Sequence, residues 1–253
     1  MRITVCIPTY NEAGNIPRLA ETLFALPLKD LSILFIDDNS PDGTAQVVEQ
    51  VAGLYPGRIS LHRRPTKLGL GTAYIAGFGL ALESGAEAIA QMDADFSHPP
   101  EKLVELAAAL ETHDVAIGSR YVAGGSLDER WPLWRKGLSA FGNFYARTIL
   151  NLSIRDVTGG FRLWSRRSIE SLPLDSIRSS GYVFQVELAY LTERLGLRSI
   201  EIPIHFADRR WGQSKMSLRI QLEAAMRVWM VRFSYRDIKP VPVIAPAYNE
   251  RSV

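Results

Sequence analysis

A layered α/β fold on a mainly parallel sheet is predicted by three features of this 253-residue chain. Short apolar runs alternate with helical patterns through the first half, which places helices on both faces of a sheet. Three of those runs end in clusters of Asp, Asn, Ser and Pro, so polar groups gather at one sheet edge, where open α/β sheets bind ligands. The composition, 47% hydrophobic and 22% charged, suits one large core, as a single domain or a domain with an appendage.

Residues 3–7 form the first predicted strand, which leaves through Pro8, Thr9, Tyr10, Asn11 and Glu12 into a helix beginning near Asn15. Proline stops a ladder, tyrosine can stack on a planar base, and Glu12 can accept from ribose hydroxyls or base N–H groups. Residues 33–36 form the second strand and end in Asp37, Asp38, Asn39, Ser40, Pro41 and Asp42, with Asp42 or Ser40 serving a helix that starts at Gly43. Residues 59–62 form the third strand. The glycine-rich stretch 67–73 then opens a helix near Leu70; its glycine spacing matches neither a Walker motif nor a dinucleotide fingerprint. It reads either as a tight loop or as a diphosphate contact through Lys67.

Residues 86–92 form the fourth strand and deliver Asp93, Ala94 and Asp95 to the edge. In extended backbone, positions i and i+2 face the same side, so Asp93 and Asp95 can converge on one small hard cation. A solvated strand end is the plainer reading of an isolated Asp-x-Asp; two neighbouring polar strand ends argue against it. A helix from near Pro99 and a strand over 115–118 complete the alternation. Beyond Ser126 the rhythm gives way to aromatic and basic helical stretches and one further strand, 199–206.

The single cysteine, Cys6, lies inside the first strand, which excludes a disulfide framework and suits a reducing compartment. No signal peptide precedes Ile3 and no apolar stretch reaches the ~18 residues of a membrane span, so the chain is expected to be soluble or to lie on a surface. The net charge is +2, with four more acidic than basic side chains over residues 1–100 and four more basic than acidic over 200–253. An acidic front suits a metal; a basic back suits phosphates, an anionic membrane or nucleic acid. Over 215–236, Leu218, Leu222, Ala225, Met226, Trp229 and Phe233 recur at helical steps with arginines interleaved, the pattern of an amphipathic helix in a lipid headgroup layer. Residues 131–152 repeat it with Trp134, Leu138, Phe141, Tyr145 and Ile149. Core-packing helices are the alternative for both. The tail 237–253 reads as mobile, and its Pro246-Ala247-Tyr248-Asn249-Glu250 echoes Pro8 to Glu12.

Taken in order, Pro-x-Tyr-Asn-Glu, Asp-Asp-x-Ser-Pro-Asp-Gly-Thr, Lys-Leu-Gly-Leu-Gly-Thr-Ala-Tyr, Met-Asp-Ala-Asp-x-Ser-His and Gly-Ser-Arg-Tyr resemble a family 2 glycosyltransferase of the GT-A fold. Asp156-Val157-Thr158-Gly159-Gly160-Phe161-Arg162, Gly181-Tyr182-Val183-Phe184-Gln185 and the segment from Asp208 to Met216 further resemble dolichol-phosphate (polyprenol-phosphate) mannose synthases. The resemblance runs from about Ile3 to Arg236 and implies a GT-A domain over 1–214. It implies that Pro8, Tyr10, Glu12, Ile36 and Asp38 hold guanosine, and that Asp93, Ala94 and Asp95 meet the diphosphate and its Mg²⁺ or Mn²⁺. Ser97 stands where some members have a Gln and is a third metal-ligand candidate. Arg120, Arg135, Arg209 and Lys215 become the cations for donor and acceptor phosphates, with Asp95, Arg120, Arg209 and Lys215 central to catalysis. The implied reaction is inverting transfer of mannose from GDP-mannose to a polyprenyl monophosphate, at the cytoplasmic face of a membrane. A separate membrane-anchoring subunit is an expected partner, and nucleic acid is not. The alternatives are another family 2 enzyme using UDP-glucose or UDP-GlcNAc, and a nucleotide-sugar-binding protein without turnover. Processive synthases share a Glu-Asp base and a Gln-x-x-Arg-Trp segment, and this chain has neither.

Overall fold

The computed structural model describes residues 1–179, 181–208 and 218–241, with side chains from residue 223 onward in the last stretch. The first half alternates as the apolar runs require: β1 (Ile3–Thr9), α1 (Ile16–Phe24), β2 (Leu31–Asp37), α2 (Thr44–Leu54), β3 (Ile59–Arg63), α3 (Leu70–Glu83), β4 (Ala88–Gln91), α4 (Leu103–Ala109) and β5 (Val115–Ser119). The later elements are β6 (Ser126–Leu127), α5 (Leu133–Leu150), β7 (Arg162–Ser165), α6 (Arg166–Ser171), α7 (Tyr182–Arg194), β8 (Ser199–Pro203), β9 (His205–Phe206) and α8 (Leu218–Ser234). The single strand expected over 199–206 is therefore two: β8 extends the main sheet, while β9 turns away to pair with β6.

The main sheet has seven strands in the order β3-β2-β1-β4-β7-β5-β8. All its pairings are parallel except those of β7, which runs antiparallel between β4 and β5. Strand order reverses at β1, whose neighbours are β2 and β4; the crevice at the carboxyl ends of β1 and β4 is the place such a sheet offers a ligand. Both faces are covered, which is why β1 and β2 are apolar at nearly every position. On one side α1, α2 and α4 bury Leu19, Val48 and Leu106 against Val5, Ile33 and Phe35. On the other, α3 and the later helices enclose Cys6, Tyr74, Phe78, Trp164 and Phe184. Burial pushes the Cys6 thiol above its ordinary range, so it is an inert small apolar residue.

Local chemistry explains the elements that bear on the site. Helix α1 starts after Asn15, carries Pro17 in its first turn, and buries Ile16, Leu19, Ala20 and Leu23, one face at helical spacing. Helix α3 lies close to the sheet at Gly77 and to the segment before α7 at Gly71, because both contact positions are small. A Cβ on Gly77 would stand 3.0 Å from Ile36 Cδ1, and one on Gly71 would stand 2.8 Å from the Ser179 carbonyl.

Candidate functional site

Three turns at the carboxyl ends of β1, β2 and β4 build the site, and each contains one non-glycine residue with positive φ: Asn11, Asn39 and Phe96. The first two turns are stitched together. Asp37, buried at the end of β2, accepts from Thr9 Oγ1 at 3.0 Å and from Ser40 N at 3.0 Å. Ser40 Oγ accepts from Asn11 N, Thr44 Oγ1 from Glu12 N and Asp42 Oδ2 from Ala13 N, at 3.0–3.1 Å. Burial works against the Asp42 carboxylate, but the Thr44 and Ala13 hydrogen bonds outweigh it and hold its carboxyl below the usual range. Ser40, Asp42 and Thr44 thus shape the β1 turn that presents Tyr10 and Glu12. Pro8 stands just before them on β1, and Ile36 is fully buried on β2.

Asp38 meets a partner that the sequence reading did not single out. Arg64, itself buried, sits 2.7 Å from Asp38 Oδ1. It also donates to the Gly69 carbonyl at 3.2 Å and to Thr72 Oγ1 at 2.6 Å, while Gly69 N donates to Asp38 Oδ2 at 3.2 Å. One guanidinium therefore fastens the glycine-rich loop to the end of β2. The pair Arg63-Arg64 before Pro65 was the available signal. The loop opens α3 tightly, and it lays Lys67 Nζ 3.4 Å above the Tyr10 ring, so the ammonium covers the face a base would stack on.

The acid turn after β4 is held from within. Asp93 N donates to His98 Nδ1 at 3.0 Å, and Tyr74 Oη donates to Asp93 Oδ1 at 3.4 Å. His98 is buried, and burial keeps its pKa below the ordinary imidazole value. It is a neutral ring with Nδ1 as acceptor. Asp95 Oδ1 accepts from Ser97 N at 3.0 Å across the left-handed Phe96. Ser97 Oγ is fully buried and has no hydrogen-bond partner among the described residues. Two strand-edge carboxylates and an unclaimed hydroxyl are hard oxygen donors that suit Mg²⁺ or Mn²⁺, although among the described residues no three His, Cys, Asp or Glu side chains converge as a ligand set.

Arg120 follows β5 and is committed to Asp156. Its Nε and Nη2 reach the carboxylate at 2.7 Å each, and Nη2 also reaches Thr158 Oγ1 at 2.7 Å. Burial works against its charge, but the fully buried Asp156 carboxylate prevails and raises its pKa. Nearby, Arg162 is fully buried against the carbonyls of Gly159, Val157 and Gln185, and burial brings its pKa down to about 10. Arg135 stacks over Trp131 at 3.6 Å and lies 3.3 Å from Asp208 Oδ1. Phe206 joins these groups: its ring lies 5.7 Å from His98, 5.9 Å from Trp131 and 5.2 Å from the Arg120 guanidinium. The structure thus brings Arg120 and Arg135 to one aromatic cluster beside the acid turn. Arg209 and Lys215 lie outside the described residues.

Residues 4–172 match the model of glycosyl transferase family 2. The chain belongs to that family. It is 44% identical over 229 residues to a protein of Micrococcus luteus named undecaprenyl-phosphate mannosyltransferase, covering 90% of this chain and 93% of that one. It is 41% identical over 235 residues to the polyprenol monophosphomannose synthase of Mycolicibacterium smegmatis, covering 91% of this chain and 88% of that one. Among solved structures it resembles a mannosyltransferase from Pyrobaculum calidifontis in complex with GDP-Man and Mn²⁺, with a TM-score of 0.64 at 20% identity over 95% of this chain and 66% of that one. A glucosyl-3-phosphoglycerate synthase from Mycobacterium tuberculosis matches with a TM-score of 0.62 at 19% identity, over 92% of this chain and 79% of that one. This family 2 glycosyltransferase therefore has the GT-A type of α/β fold that its motifs imply.

Proposed function

We propose that this glycosyltransferase moves mannose from GDP-mannose to a polyprenyl monophosphate with inversion. The observation that carries this reading is the acceptor class shared by two relatives above 40% identity across nine-tenths of the chain. The site is compatible with it part by part. Tyr10 and Glu12 take the base and ribose, with Ile36 and Asp38 behind them, and Lys67 moves from the tyrosine face to a phosphate. Asp93, Asp95 and Ser97 would hold a divalent cation, Mg²⁺ or Mn²⁺, which stabilises a departing diphosphate when bound. Arg135, with Arg209 and Lys215 from the adjoining segment, supplies positive charge where two anions must meet, and forked guanidiniums suit phosphate oxygens; Arg120 stands beside them with its Nε and Nη2 already bound to the buried Asp156.

The nucleophile decides what the protein need not contain. A lipid monophosphate is already ionised near neutral pH and needs no general base. The imidazole nearest the acids cannot serve as one, because His98 Nδ1 is occupied by the Asp93 N–H. A polyprenyl acceptor stays in its bilayer, and no described helix is long and apolar enough to cross a membrane. An apolar surface that touches the cytoplasmic leaflet supplies the contact, with or without an anchoring subunit. Radiolabelled nucleotide sugars offered with a short polyprenyl phosphate test the reading: label from GDP-mannose should enter the organic phase, and label entering only from a UDP-sugar would replace this donor assignment.

A further inference from the structure

Gln185 lies in the first turn of α7 with 3% of its surface exposed. Its backbone carbonyl accepts from Arg162 Nη2 at 2.9 Å, which fixes the turn. Its side-chain Oε1 is buried and has no hydrogen-bond partner among the described residues. A buried carbonyl oxygen left without a donor is costly, and such a group in a folded chain calls for an explanation.

Two routes bring this carboxamide to the acid turn. Gln185 Nε2 lies 3.2 Å from the point where a Cβ on Gly160 would stand, and His98 Cε1 lies 3.5 Å from the same point. His98 in turn accepts the Asp93 N–H. Phe184, the preceding residue, stacks on Tyr74 with ring centroids 6.0 Å apart, and the Tyr74 hydroxyl donates to Asp93. Gly160, by having no side chain, keeps the space between amide and imidazole open.

The chemistry of an unclaimed acceptor narrows what fits. Oε1 needs a donor. At neutral pH the diphosphate and the lipid phosphate are acceptors, and the reading above gives the base and ribose to the β1 and β2 turns. The remaining donors on the substrates are the hydroxyls of the hexose. We infer that the Gln185 carboxamide accepts a hydrogen bond from a hydroxyl of the transferred sugar and so discriminates among hexoses. This assignment rests on the glycosyl-transfer reading above.

Steady-state kinetics of the wild type and Gln185→Met, with GDP-mannose and each of its monodeoxy analogues, test it. Methionine keeps the length and volume while removing the acceptor. The wild type should disfavour one analogue by about tenfold or more in kcat/KM, the scale of one directed hydrogen bond. Gln185→Met should slow transfer of mannose by a similar factor, treat that analogue and mannose alike, and bind GDP as the wild type does. Equal discrimination in variant and wild type across the series would overturn the assignment and leave Oε1 satisfied by a buried water. If Gln185→Met fails to bind GDP, Gln185→Glu retains the acceptor and should keep the wild-type preference; its loss there counts against the inference, as does a wild type indifferent to every single deoxygenation. A wild type that transfers no hexose at all would refute the transferase reading itself, a result distinct from any of these.

Discussion

At the scale of single residues, the acid turn trades fold stability for a binding-competent shape. Phe96 holds a left-handed backbone that suits Asn or Gly better, a cost of ~1–3 kcal/mol. The turn it creates leaves Ser97 Oγ buried and unpartnered. An orphaned hydroxyl that serves only the fold should not be there; one waiting for a metal or a phosphate should. Ser97→Ala is therefore expected to raise folding stability by ~1 kcal/mol, because it removes an unsatisfied polar group, while lowering Mn²⁺ affinity in the presence of GDP. Thermal melts and metal titrations read the two effects separately, and unchanged metal affinity would reduce Ser97 to a structural residue. Asp95→Ala should abolish transfer while the chain still folds, since Asp95 lies in the turn after β4 and outside both hydrophobic clusters of the core; full activity of the wild type in excess chelator would contradict a metal held there. The candidates Asp93 and Asp95 were legible through an assumed alternation along a strand, and Ser97 through the resemblance, but β4 ends at Gln91 and the three lie in the turn beyond it, where the left-handed Phe96 and not a pleat sets their directions. The buried Arg64, Arg162 and His98 were not, because a charged or titratable residue in a sequence reads as solvated until a folded partner shows otherwise.

At the scale of elements, the sheet's first half could be read directly, because each buried strand is an apolar run bounded by turn residues. Strand β7 could not. It is short, begins with a buried arginine and owes its place to antiparallel pairing with β4 and β5, a long-range fact with no local signature. The two-residue strands β6 and β9 are similar: β9 exists because it leaves the main sheet to pair with β6. That departure carries Phe206 between His98, Trp131 and Arg120, and carries Asp208 to Trp131 Nε1 at 3.0 Å. The ring thus couples the acid turn to the element that precedes Arg209. Phe206→Ala should leave GDP binding near wild type and cut the transfer rate by about tenfold, a loss of ~1.4 kcal/mol of transition-state stabilisation. Phe206→Leu, which restores most of the volume, should recover part of the rate. A variant whose loss lies wholly in donor affinity would mean that Phe206 supports the nucleotide and not the cationic cluster.

At the scale of the molecule, α8 has two different faces. Val228 and Val231, with Tyr235 just past the helix, pack into the core beside α5 and α7, while Met226, Trp229, Met230 and Phe233 remain exposed. Leu218 and Leu222 of the expected stripe have side chains outside those described. On α5 the expected stripe divides: Tyr145 and Ile149 pack inward, and Trp134 and Phe141 stay outside with Leu133 and Phe144. The two exposed sets meet through the half-buried Tyr145. Phe141 contacts Tyr145 with ring centroids 6.3 Å apart, Trp229 Nε1 donates to Tyr145 Oη at 3.0 Å, and Trp229 stacks on Phe233 at 6.3 Å. A continuous aromatic ridge of this size, on a chain with basic side chains in excess over 200–253, matches the apolar-plus-cationic surface that adsorbs to anionic lipid. Phe144 and Phe233 are each 62% exposed, so replacing both with Asp leaves the core untouched. Each ring is worth ~2 kcal/mol of apolar transfer, and together they should weaken binding to anionic liposomes roughly a thousandfold. Transfer to a short, water-dispersed polyprenyl phosphate should persist in the same variant, because the site at the carboxyl ends of β1 and β4 is intact. Sedimentation with vesicles equal to the wild type would show that the ridge meets something other than a bilayer. Loss of activity toward the dispersed acceptor as well would place these rings in acceptor binding and not in membrane contact.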